Sequence, residues 1–144
     1  MNPYRYRQGD TYPAIEEVLF IAAKEDDLGA FQIDGQWWKV LDLTHAAEVH
    51  LHLRSTTRTI ICGPVEIVDP KPDVRTNPDA VQLRYDPEPN DLTRDGDYEM
   101  EWLIIWEDGR ESRVPNVRAS GCHVIVDPNL DPTPEEIAAG DPEP

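Results

Sequence analysis

The chain has 144 residues, enough for one domain with its own core, and no apolar run approaches the ~20 residues that a membrane-spanning helix needs. Its formal net charge of −16 makes nucleic acid a poor partner, because phosphate binding depends on Lys and Arg. The same charge suits a soluble protein, and it also suits an acidic surface meeting a basic partner. The opening residues Met-Asn-Pro-Tyr-Arg-Tyr-Arg hold no apolar segment, so no secretory signal is expected and the chain is expected to stay or be assembled in a cytosol.

Taken in order, Tyr4, Tyr6 and Gln8 alternate with Arg5 and Arg7, which predicts a short edge strand ending in the turn Gly9-Asp10-Thr11-Tyr12-Pro13. Residues 14–24 carry both signals. Ala22, Ala23 and Glu16-Glu17 favour a helix, whereas Ile15, Val18, Phe20 and Ile21 favour a strand; with no capping residue in front, a strand is predicted. Residues 30–39 read as a β-hairpin inserted between core strands, because Asp34-Gly35 is a two-residue type I′ signal. Trp37 and Trp38 must point to opposite sides of it, which leaves a ring able to face solvent beside Phe31. The alternative is that one Trp caps the core and the other lies over a Lys stem.

Residues 47–54 alternate cleanly. Ala47, Val49, Leu51 and Leu53 are expected to face in, and Glu48, His50, His52 and Arg54 to face out. Residues 59–68 predict a second strand broken at Gly63-Pro64, and residues 69–78, rich in Pro, Asp and Asn, a loop. Val81, Leu83 and Tyr85 alternate as a third strand. Residues 86–95 form a loop with Leu92 as its one buried anchor.

Residues 96–106 are the central strand. Tyr98, Met100, Trp102, Ile104 and Trp106 share an apolar face, while Glu99 and Glu101 lie opposite with Leu103 and Ile105. A return strand at 110–114, a turn at 115–120 and a last strand at 121–126 follow. After Asp127 the chain turns acidic and Pro-rich, and Thr133-Pro134-Glu135-Glu136 matches a capping box opening a helix of two turns at most, with only Ile137 to bury. The expected organisation is a sandwich at 1–127 and an acidic tail at 128–144. Seven to nine short strands with almost no helix predict an all-β, Greek-key β-sandwich.

Chemical motifs are sparse. His50-x-His52 puts two imidazoles on one strand face, but a zinc site needs three or four ligands and no further cluster follows in order. Acidic residues around Asp86, Asp91, Asp95 and Asp97 lack the order of a calcium loop. No nucleophile elbow, phosphate-cradling loop, zinc-protease motif or dinucleotide fingerprint is present, so the sequence gives no ground for an enzyme, and no cofactor is expected. Cys62 and Cys122 sit in apolar, strand-like surroundings and read as buried free thiols; a cross-sheet disulfide would need their Cα atoms within ~7 Å.

The order of several short motifs resembles a known family. Tyr6-Arg7-Gln8-Gly9-Asp10-Thr11 opens the chain, and Leu41-Asp42-Leu43-Thr44-His45-Ala46 precedes the strand Val49-x-Leu51-x-Leu53-Arg54. Gly96-Asp97-Tyr98-Glu99-Met100-Glu101-Trp102 leads to Trp106-Glu107-Asp108-Gly109 and then Val114-Pro115-Asn116. Together they look like the immunoglobulin-like N-terminal domain of phage baseplate upper proteins and related small tailed-phage virion proteins. The likeness spans residues 4–127. His45 stands where the family usually has glycine, the 30–39 hairpin is longer than usual, and the acidic tail falls outside it. Gly96-x-Tyr98-x-Met100 is also similar to the tyrosine corner of immunoglobulin folds, with Met100 where antibodies place their second cysteine.

The resemblance implies an immunoglobulin-like attachment module, present in multiple copies in a virion assembled in the host cytoplasm, with other virion proteins as partners and neither nucleic acid nor membrane. It implies no catalytic residues. Tail or baseplate is the expected place, with the neck and the capsid surface as alternatives. A carbohydrate- or calcium-binding sandwich module is the alternative of another class. The contact candidates are Tyr4, Tyr6, Phe31, Trp37, Trp38, His50, His52 and Ile137.

Overall fold

The computed structural model describes residues 4–115 and 123–128. Of the turn expected at 115–120, Pro115 instead ends a strand and the rest, with Cys122, the capping box and Ile137, lies outside the described residues. Within them the fold is all-β, with no helix and twelve short strands where seven to nine were expected. They are β1 (Tyr4–Arg7), β2 (Ile15–Glu17), β3 (Phe20–Ala22), β4 (Phe31–Ile33), β5 (Gln36–Val40) and β6 (Ala46–Arg54), then β7 (Thr59–Pro64), β8 (Glu66–Ile67), β9 (Leu83–Tyr85), β10 (Gly96–Trp106), β11 (Glu111–Pro115) and β12 (His123–Asp127).

The largest sheet runs β1-β12-β10-β6-β7, with β11 beside the far half of β10. β1 is parallel to β12; the other pairings in this sheet are antiparallel. A second sheet has the order β2-β9-β8, and a third β3-β5-β4. The expected strand over 14–24 is real but divided: β2 joins the second sheet and β3 the third. The chain likewise changes sheet after Gly63-Pro64, where β7 ends and β8 begins.

β10 occupies the residues that its alternation predicts. Tyr98, Met100, Trp102 and Ile104 are buried, Trp106 is half-buried at the strand end, and Leu103 and Ile105 on the outer face are half-buried. Across it, Val49, Leu51 and Leu53 of β6 supply the same inner face. These side chains form one hydrophobic core with Ile15, Leu83 and Tyr85 of the second sheet and with Leu19, Leu43 and Leu92 from the connections. Two layers over one core place the molecule in the β-sandwich class.

One expected inward residue is not inward. Trp106 pairs with Ala46 whereas Ile105 pairs with Glu48, so Ala47 is the extra residue of a β-bulge; it is exposed, and Ala46 packs against the core instead.

Candidate functional site

The inserted hairpin is formed by β4 and β5, with Asp34 (φ 50°) and Gly35 (φ 82°) both in the left-handed region, as a type I′ turn requires. Phe31 lies directly opposite Trp38, and Trp38 is in turn opposite Ala22 of β3. The rings of Phe20 and Phe31 meet edge to face, 5.2 Å between centroids and 75° between planes. Strand alternation puts Trp38 on this aromatic face and Trp37 on the other, beside Ile21 and Lys39. Neither tryptophan enters the core; both are half-buried, as is Phe31. A groove of about 390 Å³ is lined by Phe20, Phe31, Ile33, Val74 and Pro78 together with Glu16 and Arg75.

The N-terminal tyrosines have other partners. Tyr6 is 2 % exposed and its hydroxyl donates to the Pro13 carbonyl at 2.7 Å, so it is a core residue and not a surface contact. Burial pushes its phenol up to about 12, with Asp10 adding to the shift. Tyr4 is half-buried, and its hydroxyl oxygen lies 2.5 Å from the Glu16 carbonyl and 2.6 Å from Glu17 Oε2, the two acceptors sharing its single proton. Burial first, then the Glu17 charge, raises its pKa far above the usual phenol value. These bonds attach β1 to β2 across the two sheets.

On the outer face of the main sheet, His50 is half-buried with Nε2 3.1 Å from Glu48 Oε1. His52 is 7 % exposed, which corrects the expectation that it faces solvent. Arg113 of β11 lies over it, Nη1 to Nδ1 3.4 Å. Glu101 ties the group together, 3.2 Å from Arg113 and 3.2 Å from Arg54. Desolvation, then the Arg113 and Arg54 charges, lowers the His52 pKa. The two histidines therefore have different partners. Among the described residues no group of three or more His, Cys, Asp or Glu side chains is placed to hold a metal ion.

Two buried polar arrangements escaped the sequence pattern. Gln82, fully buried, accepts from the Leu19 amide at 2.9 Å and donates to the carbonyls of Leu41 (2.6 Å) and Pro70 (3.0 Å). Tyr85 donates its hydroxyl to Asp91, whose carboxylate also accepts the Glu88 amide at 2.7 Å. Cys62, a free and buried thiol next to Tyr85, is pushed up to about 12 by burial. Such a thiol is a packing group and not a nucleophile. A glutamine between Val81 and Leu83, just before β9, gives no pattern signal of its own.

At the start of β10 the Tyr98 hydroxyl donates to the Arg94 carbonyl at 3.0 Å, and a Cβ on Gly96 would sit 3.3 Å from the Tyr98 ring. No family model, no curated protein and no solved structure matches the chain.

Proposed function

We propose that the chain is a structural attachment module, an immunoglobulin-like Greek-key sandwich that docks among other virion proteins in the tail or baseplate of a tailed bacteriophage. The sheet order supports the fold half of this proposal. β6, β10 and β12 stand where immunoglobulin strands C, F and G stand, with β7 added outside β6; β2, β9 and β8 stand where B, E and D stand. The bond from Tyr98 to the backbone four residues upstream is the bond that a tyrosine corner makes, and Met100, two residues on, is buried where the second cysteine of antibody domains would be.

The observation that carries the docking half is the β4–β5 hairpin. It lies outside the two core sheets and holds Phe31, Trp37 and Trp38 half-open to solvent. Aromatic residues placed this way are enriched at protein contacts. His50 adds a polar contact on the outer sheet face, whereas Tyr6 and His52 are taken up by internal packing.

Mass spectrometry of purified phage particles together with an electron-microscopy map of the same particles tests the proposal. The expected result is the chain in several copies, with sandwich density repeated about the tail or baseplate axis and the hairpin at a contact. Absence of the chain from purified particles would overturn it.

A further inference from the structure

In a chain of net charge −16 a basic side chain has many carboxylates to pair with. Most of the described ones do so: Arg84 with Glu16 and Asp86, Arg54 and Arg113 with Glu101, Lys39 with Asp27. Arg58 and Arg94 are different. Neither guanidinium forms an ion pair among the described residues, and both line one open basin of about 490 Å³. The side chains of Thr57, Thr59, Thr93 and Asn90 complete most of its wall, so the lining is rich in neutral hydrogen-bonding groups.

The two arginines are carried on fixed backbone. Ser55 Oγ accepts the Arg58 amide at 3.2 Å, and the Ser55 amide donates to the Arg58 carbonyl at 2.9 Å, closing a tight turn after β6. The Arg94 carbonyl is held by the Tyr98 hydroxyl. The loop that carries Arg94 is tied down at Leu92, 1 % exposed, whose carbonyl accepts the Gly9 amide at 2.8 Å, and at Thr93, whose carbonyl accepts Gln8 Nε2 at 3.0 Å. A guanidinium offers five N–H donors in a planar fork that suits oxyanions, and two like charges sharing a basin repel until an anion comes between them. Asp91 also lines the basin, and its carboxylate weakens anion binding there. One of its oxygens, Oδ2, accepts from both the Tyr85 hydroxyl and the Glu88 amide.

We propose that the Arg58–Arg94 basin is a binding site for an oxyanion, a carboxylate or phosphate group gripped by the two guanidinium forks. This site stands whether or not the chain is a virion component. Its two sources are an acidic protein segment and a phosphoryl group, and one titration separates them. The full chain is titrated with inorganic phosphate and, separately, with a synthetic glutamate-rich peptide. Backbone amide shifts of Thr57, Thr59 and Thr93 are followed at about 0.1 M salt, where distant charges are screened.

Saturable shifts at these residues are expected with at least one of the two anions, and the one that saturates identifies the source. In R58Q/R94Q the affinity is expected to fall at least ~10-fold. Lys24→Gln, away from the basin, leaves it unchanged. Should the double variant lose its native spectrum, R58Q and R94Q singly carry the same test. Non-saturating shifts with both anions, or unaltered affinity after the arginines are neutralised, would overturn the proposal.

Discussion

The side-chain oxygen of Gln82 accepts a hydrogen bond from the backbone amide of Leu19 at 2.9 Å, joining positions 63 residues apart in a fully buried setting. Its amide nitrogen meanwhile bridges the carbonyls of Leu41 and Pro70, and its own backbone amide donates to the Glu17 carbonyl at 3.1 Å. One side chain thus bonds backbone groups on three connections, the Pro70 carbonyl among them also accepting the Leu43 amide at 2.9 Å. Gln82→Ala removes all three side-chain bonds and strands the Leu19 N–H. It is expected to cost about 3 kcal/mol in urea unfolding, the penalty of a buried unpaired donor plus lost bonds. Stability within about 0.5 kcal/mol of the parent would show that water replaces the glutamine there.

The Tyr98 corner gives a paired prediction. Tyr98→Phe loses only the bond to the Arg94 carbonyl and is expected to destabilise by about 1 kcal/mol or more. Gly96→Ala puts a methyl 3.3 Å from the Tyr98 ring at a backbone φ of +154°, which side chains rarely adopt, and is expected to cost roughly 1–3 kcal/mol. Thermal unfolding of both variants checks this; no loss in Y98F would remove the corner bond from the account of stability.

Among the tryptophans, burial ranks the expected costs. Trp102 is fully buried and its Nε1 has no partner among the described residues. Trp102→Ala is expected to cost roughly 3–5 kcal/mol. Trp102→Phe removes the unpaired N–H along with part of the ring, and the two effects offset to within about 1.5 kcal/mol. Trp37→Ala and Trp38→Ala, being half-buried, are expected to stay under about 2 kcal/mol while weakening association with a docking partner. Denaturation midpoints and a binding assay on the same variants separate the two roles.

His52 makes stability depend on pH. Its folded-state pKa lies below its unfolded value, because burial and the flanking Arg113 and Arg54 disfavour the cation. Glu101 faces the same ring and opposes that shift, and His50 adds to it. Between the two pKa values the unfolded chain binds more protons, so stability rises with pH through that window and is lost as pH falls. His52→Gln is expected to flatten the stability profile below the ordinary histidine pKa of about 6.5 and leave it unchanged above. Parallel profiles for parent and variant from pH 5 to 8 would contradict the assignment.

Cys62 is expected to be silent toward a disulfide reagent in the folded protein. With the thiol pushed up to about 12 and 1 % exposed, the native thiolate fraction is negligible at neutral pH. In a Cys122→Ser background, labelling should follow the global unfolding rate; fast labelling under native conditions would place Cys62 at the surface.

Much of this architecture could be read from residue order. The period-two pattern over 96–106 marks both ends and the buried face of β10, because a long strand with a uniformly apolar side has no other way to satisfy its pattern. Asp34-Gly35 marks the hairpin for a similarly local reason: few residue pairs tolerate two successive positive φ values. What was not legible depends on partners distant in sequence. Ala47 is displaced by a bulge set by its pairing with β10, and residues 14–24 split because β9 and β5 claim different halves. His52 is covered by an arginine 61 residues away, and Gln82 is buried because three connections need it. The aromatic candidates on the hairpin were visible as residues, whereas the Arg58–Arg94 basin exists only once two separate loops are brought together.

The parallel pairing of β1 with β12 has a mechanical meaning. A pull on the chain toward its start drags β1 one way, and a pull toward its end drags β12 the other, so the two strands slide lengthwise past each other. Every rung from Tyr4 opposite Val124 to Arg7 opposite Asp127, together with the Arg5–Asp127 ion pair, is then strained at once rather than peeled one by one. The fold is wired to resist tension between its two ends.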